Sequence, residues 1–291
     1  MYYILLNIVL ITGSDIMIKI RWTGAAGIEF IVDSGVILID PYFSRLGKFK
    51  SLFKNISPKK ENIENYLNTL PSELIGVIAG HTHLDHTLDI PYIAQKSGCK
   101  IIGSKSLDSL FRMHGLAGRV IICKGNEKID LNDKISVTMI PSIHGKVIFD
   151  QIPFPGEIDS NGQLPIKAKD YKAGKVFIPK ITLDGKTFMH IGSADYVESQ
   201  LQGHSCDILF MCVPGWKRKK GYTSTLIELL HPGIVVPFHF DDFSRPIPKT
   251  GKTPLLPFQG VSDFVHEIKK NFPEVKIILP EMNQDIACDL F

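Results

Sequence analysis

Three imidazoles and a carboxylate fall within six consecutive positions of this 291-residue chain, His81-Thr82-His83-Leu84-Asp85-His86. Histidine is mostly not fully buried, and aspartate almost never is unless paired. A cluster this dense, directly after the apolar run Leu74 to Ala79, exceeds what core packing would supply. Neutral imidazole and carboxylate oxygen together suit Zn²⁺ and other divalent first-row ions. In an extended stretch alternate side chains share a face, so His81 and His83 can reach one ion. Where the chain then turns into a helix, Asp85 and His86 can face a second. The bland alternative is a solvated histidine-rich loop.

A metal site needs further ligands, and three candidates stand directly after other apolar, strand-like runs. His144 lies in Pro141-Ser142-Ile143-His144-Gly145, Asp195 in Gly192-Ser193-Ala194-Asp195, and His239 in Pro237-Phe238-His239-Phe240. Each alone is more often a structural residue; their order and shared placement point to one site. No Gly-x-Ser-x-Gly elbow offers a serine mechanism. The five cysteines, Cys99, Cys123, Cys206, Cys212 and Cys288, form no Cys-x-x-Cys pair. An odd, scattered set argues against a disulfide framework and suits a reducing compartment.

The elements that must position these residues read as an α/β chain. Alternation at Ile18, Ile20 and Trp22 predicts a strand, and Ile28–Val32 and Val36–Ile39 flank an Asp33-Ser34-Gly35 turn as a hairpin. Strands follow at Leu74–Ala79, Lys100–Ile102, Val120–Ile122, Ile135–Ile140, Val176–Ile178 and Thr187–Ile191, then Ile208–Val213, Ile234–Val236 and Val275–Leu279. Helices are expected at Ile90–Lys96, Ser104–Met113, Ser224–Leu230 and Val261–Asn271. Lys48 to Lys60 reads as a basic surface excursion, and Gly145 to Gly174 as a long, Pro- and Gly-rich stretch, functional or mobile. At 44% hydrophobic and 22% charged residues the composition is that of an ordinary globular protein. Such strands need helices over one face and another sheet over the other, which predicts a two-sheet sandwich with outer helices in a single domain.

With these residues in place, the chain resembles the metallo-β-lactamase fold superfamily. The resemblance rests on His-x-His-x-Asp-His at His81 to His86, the later His144, Asp195 and His239, and the opening from Trp22-Thr23-Gly24 to Ile39-Asp40-Pro41. It spans nearly everything from Met17 onward, and looks most like the branch containing the ascorbate-6-phosphate lactonase. It implies a four-layer αββα sandwich and two divalent ions, Zn or Mn foremost. His81, His83 and His144 would hold one, Asp85, His86 and His239 the other, and Asp195 would bridge them. A metal-bound hydroxide, oriented by Asp85, would then cleave an ester, lactone or phosphoester bond. Ala194 departs from the commoner glycine before the bridging aspartate, and its methyl group could narrow the site. The Gly145–Gly174 stretch has no counterpart in the family pattern.

Substrate selection must come from loops around the ions. Gly215-Trp216-Lys217-Arg218-Lys219-Lys220-Gly221 follows a strand and could draw an anionic small molecule to Trp216 and Lys217, with Arg245 near His239 as a further wall; a solvated basic turn is the plainer reading. A formal charge of +3 is too mild to imply nucleic-acid binding without a larger basic cluster. A nuclease of the same fold and a non-catalytic metal-binding protein are the competing expectations, the latter disfavoured because all seven ligand positions are filled. β-Lactam cleavage has no support beyond the superfamily's name. The apolar Tyr2–Thr12 stretch is short of the roughly 20 residues a membrane span needs, and no Lys or Arg precedes it as in a secretory signal. Residues 1–16 are expected to be a leader or extra edge strand, with the domain running 17–291 and residing in the cytoplasm; the alternative is export or membrane association through that leader.

Overall fold

A computed structural model describes residues 18–47, 54–147, 149–247, 253–256 and 260–286. The leader and Cys288 lie outside the described residues. Among those residues no helix is long and apolar enough to cross a membrane.

The β-branched runs pair as expected. β1 (Lys19–Gly24), β2 (Gly27–Val32) and β3 (Gly35–Ile39) form an antiparallel meander. Beside it β4 (Leu74–Ile78), β5 (Lys100–Gly103) and β6 (Val120–Ile122) run parallel to β3, making a six-stranded sheet in sequence order. The second sheet repeats the plan. β7 (Lys128–Asn132), β8 (Ile135–Ser142), β9 (Val176–Leu183) and β10 (Lys186–Ile191) are antiparallel. β11 (Ile208–Cys212), β12 (Ile234–Phe238) and β13 (Lys276–Ile277) then continue parallel to β10.

Side-chain alternation decides the layers. Phe30, Val32, Ile37, Ile39, Ile78 and Ile102 of the first sheet join Val137, Met139, Ile181, Phe188 and Phe210 of the second in one core. The intervening Val36, Leu38, Val77 and Ile101 face outward into a second core. There they meet α1 (Lys60–Leu67), α3 (Ile90–Lys96) and α4 (Lys105–Met113) through Ile63, Ile93, Leu107 and Phe111. On the far side of the second sheet lie α6 (Tyr222–Leu230) and α7 (Val261–Asn271), buried through Leu226, Leu230, Phe264 and Ile268. Short helices α2 (Leu84–Thr87) and α5 (Glu198–Leu201) complete the set among the described residues. The result is the expected αββα sandwich.

Three elements escaped the sequence pattern, α1, β7 and the one-turn α5. α1 buries only Ile63 among its eight residues, so it carries little apolar periodicity. β7 is an edge strand with no fully buried residue, and polar edges are how sheets avoid pairing with other chains. Among its described residues the Gly145–Gly174 stretch has no helix or strand apart from a 3₁₀ turn at Ala168–Asp170. It is docked all the same, since Ile158, Ile166, Ala168 and Tyr171 pack into the outer core of the first sheet.

Candidate metal centre

The histidine motif leaves β4 at the edge where parallel strands end. His81 and His83 alternate in extended backbone, and His83 stands immediately before α2 with φ −63° and ψ 157°. Their rings therefore meet, with His81 Nε2 and His83 Nδ1 3.0 Å apart. Asp85 and His86 occupy the single turn of α2. Thr87 Oγ1 donates to the carbonyls of Thr82 and His83 at 3.2 Å each, closing the segment on itself.

The partners arrive from the second sheet: His144 after β8 and His239 after β12. Ring nitrogens of His81, His83 and His144 lie within 4.8 Å of one another, as do the donor atoms of Asp85, His86 and His239. A third, overlapping group joins Asp40 to His81 and His86. Asp85 Oδ2 is 3.3 Å from His239 Nε2 and 3.8 Å from His86 Nε2.

Neighbours outside the cluster fix which nitrogen faces inward. His83 Nε2–H donates to the Pro153 carbonyl at 2.8 Å, His144 Nδ1–H to the Gly145 carbonyl at 2.6 Å, and His86 Nδ1–H to Asp40 Oδ2 at 2.8 Å. Each bond leaves the other nitrogen as a lone-pair donor, the usual way an outer partner orients a metal-binding imidazole. Asp40 is the hub of this support. It is fully buried at the end of β3, adopts φ +46°, and also accepts the Gly80 N–H at 2.7 Å. The Gly145–Gly174 stretch contributes the Pro153 carbonyl, and holds Thr82 through the carbonyls of Lys172 (2.5 Å) and Ala173 (2.9 Å).

Protonation follows from burial and crowding. Burial and the surrounding imidazoles drive His81 well below the ordinary histidine value. Burial lowers His83 to about 4 despite Asp85, and burial with His83 lowers His144 to about 3. These three are neutral at pH 7, the form that binds metal. Burial works against ionising Asp85, yet His86, His239 and His83 outweigh it and hold the carboxyl well below the usual carboxylate range. The described cysteines are free and buried. Cys212 lines the cavity, but burial and Asp85 push its thiol up, so it offers no thiolate.

Six of the seven expected ligands come together. The seventh, Asp195, stands apart: its Oδ1 is 2.8 Å from Lys219 Nζ and accepts the Tyr196 N–H at 2.8 Å. It belongs to none of the three donor groups found among the described residues. Ser193, two positions earlier, lines the cavity instead and accepts the Gly145 N–H at 2.9 Å. Ala194 is buried in the core cluster that includes the second sheet, and it is not among the cavity-lining residues. The expected substrate contacts are also engaged elsewhere. Trp216 packs edge-on against Phe264, Lys217 pairs with Asp263, and Arg245 Nε is 3.2 Å from Asp242 Oδ2. None of the three is among the cavity-lining residues. His190 donates to the Ala26 carbonyl at 2.8 Å behind Asp40, a structural role. Sequence reasoning missed Asp40 as a participant and Ser193 altogether. The Asp40-Pro41 step was the available signal for the first; Ser193 has none beyond its place after a strand end.

No sequence-family profile matches the chain. It is 24% identical over 265 residues to a UPF0173 metal-dependent hydrolase of Desulfitobacterium hafniense, covering 90% of this chain and 94% of that one. Among solved structures, Igni18, a metallo hydrolase of Ignicoccus hospitalis, superposes with a TM-score of 0.61 at 17% identity, over 92% of this chain and 97% of that one. The metallo-β-lactamase fold protein YhfI of Bacillus subtilis gives a TM-score of 0.56 at 14% identity, over 92% and 98% of the two chains. The chain has the metallo-β-lactamase fold.

Proposed function

We propose that this protein is a metal-dependent hydrolase that uses water to cleave an ester, lactone or phosphoester bond in a small molecule. The observation that carries the reading is the convergence of five imidazoles and Asp85, from both sheets, into two three-donor groups at one cavity. The donors fit a divalent ion: nitrogen and oxygen atoms without thiolate, three of the imidazoles held neutral, and His239 Nδ1 buried with no partner. Zn²⁺ and Mn²⁺ both accept such a set.

His81, His83 and His144 would hold one ion, and Asp85, His86 and His239 a second. A divalent ion in such a site lowers the pKa of a water from 15.7 towards about 7 and polarises a carbonyl or phosphoryl oxygen. The chain's own residues do the rest. Asp85, ionised at neutral pH, can accept a hydrogen bond from the attacking water and orient it. Asp40 and the Pro153 and Gly145 carbonyls keep three imidazoles in a ligating tautomer. Lactones belong in the test panel because the sequence motif resembles that of a lactonase-containing branch. A small molecule is favoured over nucleic acid because Lys217, Arg218 and Lys219 are each paired with a carboxylate. The buried, free cysteines support residence in a reducing compartment.

Protein loaded with Zn²⁺ or Mn²⁺ is expected to hydrolyse members of a panel of carboxylic esters, lactones and phosphoesters. His83→Ala should lose bound metal by elemental analysis and lose more than about a hundredfold in rate, while still melting cooperatively. Metal content and rate unchanged in that variant would overturn the assignment.

A further inference from the structure

The cavity above the donor groups is walled by hydrocarbon. Val147, Pro153 and Phe154 come from the Gly145–Gly174 stretch, Pro214 from the turn after β11, and Phe243 and Leu256 from the chain beyond β12. Among the described residues no Lys, Arg, Asn or Gln lines it. Its polar atoms are concentrated on the floor, in the imidazoles and Asp85. Ser193 Oγ accepts the Gly145 N–H and keeps only its own O–H to offer, a single neutral donor.

Cations on the neighbouring loops are paired with carboxylates and do not line this space. Lys146 and Arg218 face Asp150 at 3.6 Å each, Lys217 is taken by Asp263, and Lys219 by Asp195. Apolar side chains stand exposed in the same loops: Phe149 is 93% exposed, Phe154 37% and Leu255 58%. A charge carried into the cavity away from the floor would lose its water and find no charged partner among the described residues, which is costly. A hydrocarbon group there gains about fourfold in affinity for each methylene it buries. At about 290 Å³ the cavity sits at the small end for ligand pockets.

Resting on the hydrolase reading, we infer that the part of the substrate away from the reacting bond is a neutral hydrocarbon group. The site is built for an uncharged ester or lactone bearing it, and not for a phosphorylated molecule. Phe154, half in the cavity and half on the rim, sets this preference.

The test compares acyl groups on one leaving group, so that effects at the reacting centre cancel. With metal-loaded protein, kcat/KM should rise at least threefold from p-nitrophenyl acetate to the hexanoate. Mono-p-nitrophenyl adipate, of the same length but with a distal carboxylate, should fall at least tenfold below the hexanoate. Phe154→Lys should bring those two within threefold of each other. A wild-type adipate rate equal to the hexanoate rate, or faster turnover of bis-p-nitrophenyl phosphate than of the hexanoate, would overturn the inference. A binding arm separates this from the hydrolase reading. By ligand-observed NMR, hexananilide should bind at least tenfold more tightly than adipic acid monoanilide. That preference without hydrolysis of any ester would sink the hydrolase reading and leave the cavity assignment standing. Equal binding of the two anilides, or binding of neither, sinks the inference whatever the esters do.

Discussion

His81, His83 and His144 press against one another with rings 4.5 to 4.8 Å apart, and burial keeps them neutral. Their folded-state values lie below the ordinary 6.5, so in the metal-free protein the unfolded chain binds more protons as acid is added. The stability they contribute is complete above about 6.5 and is lost as pH falls through about 4 for His83 and about 3 for His144. Asp89 acts in the opposite sense. Burial raises it to about 6 even though Ser44 and the Phe43 N–H bond to it, so it gains stability as pH falls from 6 towards its unfolded value. Comparing wild type with His144→Gln in a chelator isolates one imidazole. Between pH 6.5 and 4 the wild-type stability should drop faster, by a few kcal/mol, since each tenfold preference of the unfolded chain for the proton is worth about 1.4 kcal/mol. Parallel melting curves across that range would refute it. Residue types told much here because His81 to His86 are consecutive. Asp40 and Ser193 act through neighbours distant in sequence, and no local spacing could show that. Asp195 stood where the family pattern wants a carboxylate, but a sequence cannot show that Lys219 holds it.

At the level of elements, the loops leaving β3 and β12 are locked to each other. Arg45 and Asp241 form a fully buried ion pair, and Asp241 Oδ1 also accepts the Ala25 N–H at 2.8 Å. Gly24 is required there: a Cβ on it would stand 1.6 Å from Arg45 Nη2. Two residues before Asp241, His239 is held at φ +66°, and Asp40 on the facing loop at φ +46°. Such conformations persist in non-glycine residues only where their surroundings fix them. Asp241→Ala leaves the Arg45 guanidinium buried and unpaired, so unfolding free energy should fall by about 3–5 kcal/mol and metal affinity should weaken as His239 loosens. Urea melts and metal titration check the two effects; a stability loss below about 1 kcal/mol would show the pair to be dispensable. The strands bearing ligands were readable because apolar runs ended at polar residues. α1, β7 and the left-handed loop residues were not, since the first two lack apolar periodicity and the last depend on contacts across the fold.

Across the whole molecule, the two sheets share a plan, antiparallel meander followed by parallel strands, and both bring strand ends to one rim. The sandwich was legible from hairpin and turn signals, whereas the closure of the cavity by the Gly145–Gly174 stretch was not. Each proposed ligand trio mixes origins: His81 and His83 hang from one sheet and His144 from the other, as do Asp85 and His86 with His239. A bound cation would thus rivet two slabs that elsewhere adhere through greasy, directionless packing and a few polar ties such as Arg45–Asp241. Stripping it should let the seam slacken. At free metal a hundredfold above its dissociation constant the tie is worth about 2.7 kcal/mol, so EDTA should lower the melting temperature by several degrees, and His144→Gln should erode that gap.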